Sequence, residues 1–277
     1  MSEALKCKGI ILKNHRLNDN DKIIHIISDH FGSLRAVAKS AYKINSKNGP
    51  KTQVLQYAEF LLAKGRHLDI VQEIKLLQQF SQLQKDFDLL TVAYFFCEIT
   101  DLVSLEGDLK TFDYFDLLQR SLNILNQEQK LTKLQVHSLI IDFLWKVTCA
   151  QGYKPELNIC FQTQKKRSQN QIPQYFDFEN GSIISEKAYF ELLKTNPYEN
   201  SIHVFQAGVF KILEKLNDDI ELVDLDLLSL QAVIKFLYKH LEFCINKEFK
   251  TWKTLAEFLE TELEDPLKNP TPSISQP

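Results

Sequence analysis

A chain of 277 residues with 44% apolar and 25% charged side chains has the composition of an ordinary globular protein long enough for two cores. Its net charge of −3 hides a split: residues 1–80 hold 10 Lys and 3 Arg against 7 acidic side chains (+6), and the remainder holds 20 basic against 29 acidic (−9). No apolar run approaches the ~18 residues of a membrane span, and the start, Met-Ser-Glu-Ala-Leu-Lys, lacks the long apolar stretch of a signal peptide, so the cytoplasm is the expected compartment. Five Cys are odd in number and irregularly spaced, and most of them read as reduced, buried small hydrophobes. A charge split of this kind suggests that the basic part meets a polyanion.

In chain order, Leu5–Lys13 and Lys22–Ser28 are short, Ile-rich strand candidates separated by polar Asn14–Asn20. After a turn at His30-Phe31-Gly32-Ser33, Leu34–Lys39 alternates, with Leu34, Ala36 and Ala38 on one face and Arg35, Val37 and Lys39 on the other. Residues 40–53 are polar and basic, and Asn48-Gly49-Pro50 opposes regular structure. Val54–Ala63 and His67–Ile74 are two further strands, joined by the turn Lys64-Gly65-Arg66. Five short strands in under 80 residues predict a small β-barrel.

After about residue 78 the period becomes helical. Phe80–Ser104 and Leu109–Leu125 carry apolar residues three and four apart, and Thr132–Gln135 has the form of a capping box opening a helix to Gly152. Residues 161–183 read as polar and irregular. Helices are predicted again at Ser185–Lys194, His203–Leu216, Asp224–Ile245 and Glu248–Glu262. The last 12 residues hold 4 of the 8 Pro and predict a disordered tail. The reading is therefore an α+β chain: a five-stranded barrel over 1–78, an all-α helical domain over 79–262 and a tail over 263–277.

Several chemistries are excluded by spacing. The closest glycines, Gly49 and Gly65, are 16 apart, too far for a phosphate-cradling loop, a dinucleotide fingerprint or a nucleophile elbow. No two His are four apart, and no Cys-x-x-Cys pair exists. The 36 acids offer many carboxylate pairs, for which solvated helix faces are the simpler reading; a metal-dependent nuclease on such a pair is a weak third reading. Nothing in the chain calls for an enzyme.

Arg35, Lys39, Lys43, Lys47 and Lys51 recur every fourth residue, but Asn45-Ser46 and Gly49-Pro50 oppose a helix, so a basic strand end running into a basic loop is the better reading. Lys64 and Arg66 at the hairpin tip would lie nearby, and Tyr42 is a possible stacking platform. Such a groove tracks phosphates in barrel folds that hold single strands. The bland alternative is a solvated loop whose lysines confer solubility.

These residues also carry a resemblance. Lys8-Gly9-Ile10-Ile11-Leu12-Lys13, Asp21-Lys22-Ile23-Ile24, Phe31-Gly32, Ala38-Lys39-Ser40-Ala41 and Ser46-Lys47 resemble the opening of the recombination mediator family RecO. The similarity continues through Leu55-Gln56-Tyr57, Gly65-Arg66-His67-Leu68, Glu98-Ile99, Phe115–Leu118 and Gly152–Leu157 to His240 and Phe249-Lys250. It implies an OB-fold barrel followed by a helical domain, in a bacterial, cytoplasmic, nucleoid-associated protein. It further implies binding to single- and double-stranded DNA, strand annealing, and action with RecR to load RecA onto strands coated by single-stranded-DNA-binding protein, with no cofactor and no nucleotide hydrolysis. Many relatives carry a four-cysteine zinc site after the Gly-Tyr-x-Pro stretch. Here only Cys160 matches, Thr163 stands at the second position, and Asn180–Lys187 has no Cys, so no metal is expected. Packing through Tyr175, Phe176 and Phe178 is then expected to hold residues 158–183.

Among the remaining features, Lys165-Lys166-Arg167 reads as a solvated loop in preference to a second DNA contact. His25 would face solvent or the barrel mouth, the bland alternative being a satisfied strand residue, and His15, His30 and His67 fall in or beside turns. The acidic body is a plausible protein-binding surface, where Arg120 and Lys146 would rim a groove for the acidic tail of the single-strand-binding protein. The competing reading from another class is a protein-interaction adaptor whose barrel binds peptides, with no direct DNA role.

Overall fold

The computed structural model describes residues 4–104, 111–168, 172–195, 201–206, 208–220 and 225–260. Strands β1 (Ala4–Arg16), β2 (Lys22–Ser28), β3 (Gly32–Ala38), β4 (Gln56–Ala63) and β5 (Asp69–Gln79) close into a barrel in the order β1-β2-β3-β5-β4. All pairs are antiparallel except β3 with β5, which meet in parallel at Ala36–Asp69 and Val37–Ile70. The inward faces of the strands bury Ile11, Ile24, Ile26, Ala36, Ala38, Ala58, Phe60 and Leu62 as one core. This alternation is the period-2 signal of the sequence. Gly9 is required where β1 meets β2: a Cβ there would lie 2.4 Å from Ile26 Cγ2 and 2.8 Å from the Ile27 carbonyl oxygen.

A register shift between Ile11 and Lys13 turns part of β1 over. Before it, Ile10 and Ile27 face outward by alternation with Ile11 and Ile26, and with Leu12 they join the core of the helical body; past it, Lys13 also faces outward, beside His25. The body comprises α1 (Phe87–Val103), α2 (Thr111–Leu125), α3 (Lys133–Ala150), α4 (Glu186–Thr195), α5 (Val209–Asn217), α6 (Leu227–Ile245) and α7 (Trp252–Glu260). Helix α1 starts at Asp86, whose carboxylate accepts the amides of Asp88 and Leu89 at 3.0 and 3.1 Å. Helix α3 opens on the expected reciprocal cap between Thr132 and Gln135. Helices α3 and α6 form the centre of the body, and Phe96 of α1 stacks on Phe143 of α3 at 4.1 Å. Glu98 binds the amides of Lys250 and Thr251 and the Thr251 hydroxyl, fastening the start of α7 to α1.

The α+β class holds, but the body is not all helix. Strands β6 (Tyr175–Asp177), β7 (Ser182–Ile184) and β8 (Ile202–Val204) form a small antiparallel sheet in the order β7-β6-β8. Two of them occupy the stretch read as irregular, and β8 takes the start of the helix expected from His203. Three-residue strands are too short to show a period, and Phe205 and Phe210 lie near helical spacing by coincidence. Phe80 likewise precedes the first helix, and β1 runs to Arg16, so His15 lies in a strand instead of a turn. The tail over 263–277 and residues 109–110 of the second expected helix lie outside the described residues.

Candidate nucleic-acid interface

The outer face of the sheet carries a cationic row. The register sets Lys13 beside His25 and His25 beside Arg35 across β1, β2 and β3. The next row is His15, Ile23 and Val37. His25 is almost fully buried, with Nδ1 2.7 Å from Asp101 Oδ1 near the end of α1. Lys13 Nζ lies 3.7 Å from the other Asp101 oxygen. His25 thus faces neither solvent nor the barrel mouth: it points outward from the barrel and is covered by the body, because Ile24 and Ile26 take the inward face. Burial raises the Asp101 pKa, but the hydrogen bond from His25 and the charges of His25, Lys13 and Arg35 outweigh it and hold the carboxyl below its usual range. His15 packs edge-on against His25 at 5.4 Å. Partial burial, then the nearby His25, Lys13 and Arg35, depress its pKa below 6.5.

Beyond Ala38 the chain enters the basic segment. Its exit is latched by Asp21, which accepts the Ser40 amide at 2.7 Å, while the Tyr42 amide donates to the Asn20 carbonyl at 2.9 Å. That hydrogen bond from Ser40, then one from Asn18 and the charges of Lys39 and Lys43, lower the Asp21 pKa. Arg35, Lys39, Lys43, Lys47, Lys64 and Arg66 are all exposed. Among the described residues none of the six pairs with a carboxylate within 4.0 Å. Lys51 differs: it is half-buried, and its ammonium donates to the Ile74 carbonyl at 2.9 Å, bracing the loop against β5. Lys64 and Arg66 return beside β3, because Asp69 pairs with Ala36, the neighbour of Arg35. Lys13, Arg16 and Lys22 were not singled out from the sequence. The strand register past the shift in β1 is the only signal that places Lys13 in the row.

The region around Cys160 is built differently. Burial raises the Cys160 pKa, but hydrogen bonds from the Thr163 side chain and the backbone of Thr163, Ser185 and Gln162 outweigh it and leave the thiol below its ordinary value. A sulfur so surrounded still cannot hold zinc with Thr163 beside it, and among the described residues no three His, Cys, Asp or Glu converge. The residues do not fit the metal. Aromatic packing is what holds the segment: Phe176 and Phe178 are buried against Phe236 and His240, and Tyr175 stacks on Tyr189 at 4.0 Å. Arg167 belongs to this framework: its guanidinium binds Glu214, donates to the Leu157 carbonyl at 3.0 Å and lies over Phe210. Lys165 and Lys166 stay exposed beside it.

No helix among the described residues is long and apolar enough to cross a membrane. Residues 1–80 match the family model described as recombination protein O N terminal, and residues 84–270 match recombination protein O C terminal. Relatives named DNA repair protein RecO include one from Desulforamulus reducens, 25% identical over 93% of this chain and 96% of the relative. Another, from a Nostoc species, is 26% identical over 70% of this chain and 67% of the relative. One from Clostridium acetobutylicum is 27% identical over 58% and 63%. A closed barrel in OB-fold strand order, a cationic face upon it, a helical body behind it and family matches running from residue 1 to residue 270 agree: the chain belongs to the RecO family of recombination and DNA-repair proteins.

Proposed function

We propose that this protein is a non-enzymatic DNA-binding mediator whose barrel clamps single and double strands. Arg35, Lys39, Lys43 and Lys47 form the principal phosphate contacts, and Lys64 and Arg66 flank them. Lys51 holds the loop in place. Neutralising the phosphates of two strands at once removes their mutual repulsion and lets complementary sequences anneal. With RecR, the protein helps load RecA onto strands coated by single-strand-binding protein. The observation that carries this reading is the group of exposed cations left without carboxylate partners. Replacing Lys39, Lys43 and Lys47 together by Glu is expected to lower oligonucleotide affinity by about a hundredfold or more near 0.1 M salt, with unchanged helical content by circular dichroism. Retained affinity would move the site elsewhere.

The body supports the partner side of the reading. A hollow of about 260 Å³ is lined by Tyr114, Leu117, Arg120 and Lys146. Lys146 also borders a groove of about 760 Å³ with Trp145, Cys149, Lys154 and Leu216. Asp116 also lines the first hollow and Asp142 and Asp219 the second, and Lys146 pairs with Asp142 at 2.7 Å, so Arg120 and Lys154 are the basic groups left to meet the acidic tail of the single-strand-binding protein. The adaptor reading draws on the −9 charge of residues 81–277, which repels DNA. A pull-down with and without nuclease separates the two: a partner surviving digestion at high salt favours the adaptor.

A further inference from the structure

We propose that the mouth of the barrel is a pocket for one phosphodiester of single-stranded DNA, with Lys22 as its buried cation and Tyr42 as the platform for the neighbouring base. The proposal deepens the DNA-binding reading and rests on it. Lys22 stands two residues before Ile24 on the same inward face of β2, paired across the mouth with Arg16 and Ala38. It is only 5% exposed. Among the described residues its ammonium has neither a hydrogen bond nor an ion pair; it faces the Tyr42 ring at 4.7 Å. The Arg16 guanidinium approaches the same ring at 5.4 Å.

The acids at the mouth are engaged elsewhere. Asp19 takes Arg16 at 3.1 Å, and Asp21 takes the Ser40 amide and the Asn18 side chain. Lys39 and Lys43 add further positive charge beside Asp21. Burial depresses the Lys22 pKa, the direction expected of a charge partly withdrawn from water without a counter-ion, while the ammonium tip itself still reaches solvent. An apolar side chain of similar length would fill this place without that cost. A phosphate oxygen arriving at the mouth supplies the missing anion. Tyr42 is 42% exposed, and its backbone is pinned by Asn20, so its ring is preset for stacking. A duplex base is already stacked on its neighbours, so the pocket selects single strands.

The test uses the full chain and a labelled oligo(dT), read by fluorescence anisotropy across a salt series. Lys22→Met is expected to make the log–log salt slope shallower by about 0.7, the loss of one single-strand phosphate contact. The same variant is expected to unfold in urea at an unchanged or higher midpoint. Lys22→Arg retains the slope. Tyr42→Ala is expected to lower oligo(dT) affinity by about tenfold, with a smaller loss on duplex and near-normal binding by Tyr42→Phe. Lys22→Met with an unchanged slope, or with a lowered unfolding midpoint, would make Lys22 a structural cation and overturn the pocket. Displacement of oligo(dT) by inorganic phosphate beyond that caused by chloride at equal ionic strength would reassign the pocket to the free anion and overturn it as well. If the Lys39, Lys43 and Lys47 triple variant loses binding while Lys22→Met does not, the pocket alone falls. If both variants bind normally, the DNA reading falls with it.

Discussion

Residues 39–53 and 158–168 are both short of regular structure, and both carry basic side chains in close succession. The structure treats them oppositely. In the first, Lys39, Lys43 and Lys47 project into solvent and the loop is held by main-chain bonds, by Asp21 and by Lys51. In the second, Arg167 is drawn inward, with its side chain 9% exposed and occupied by Glu214, Leu157 and Phe210, and it holds the segment together. A basic run therefore indicates function only where its charges are left uncompensated. One that finds an acid and a carbonyl inside the fold is part of the framework.

The sharpest way to break this contrast is stability. Arg167→Ala removes a buried guanidinium and leaves Glu214 and the Leu157 carbonyl unpartnered, for an expected loss of about 2–4 kcal/mol in urea unfolding, with DNA affinity at fixed salt unchanged. A variant that stays equally stable would place Arg167 with the solvated lysines.

Next in size is a pH effect of opposite sign in the two regions. His137, His203 and His240 of the body are held below 6.5 chiefly by burial. Above pH 6.5 they are neutral whether folded or unfolded. Below it the unfolded chain takes protons first, so stability falls until the pH has passed the native values. The melting temperature should drop between pH 6.5 and 5. His15 on the cationic face is depressed in the same direction, by partial burial first and then by neighbouring cations. Phosphate would relieve that repulsion, so DNA affinity should rise over the same interval, and His15→Gln should remove the rise. A fall in affinity that parallels the fall in stability would erase the distinction.

The smallest expected effect is that of Lys165→Glu with Lys166→Glu: less than about twofold in DNA affinity, since the exposed pair lies away from the barrel. A loss comparable to that of the barrel triple would make the second segment a DNA contact after all.

Much of this was legible beforehand, for local reasons. Alternation in Leu34–Lys39 marks a strand because side chains on a pleated strand change face at each residue, and the Ile-rich run Lys22–Ser28 marks another by composition. The Thr132–Gln135 cap was readable because both partners lie within one turn. The charge split was arithmetic. The strands of the small body sheet were not readable, because three residues show no period and the third strand, β8, pairs with β6 from more than 20 residues away. His25 was legible only in part, as a satisfied strand residue: parity says that it opposes Ile24, but not that Asp101 of α1 stands above it.

The amino-acid order by itself therefore determined the five barrel strands and the main helices, where the positive charge gathers, and that a single cysteine cannot build a four-ligand metal site. Those properties depend on neighbours within a turn or on composition. The tertiary structure alone decided which cations remain unpaired. The shift in β1 brought Lys13 into line with Arg35, barrel closure buried Lys22 beneath Tyr42, and a contact spanning 47 residues took Arg167 out of solvent. The electrostatic worth of a side chain depends on its distance to charges and to water, and only the closed fold sets those distances.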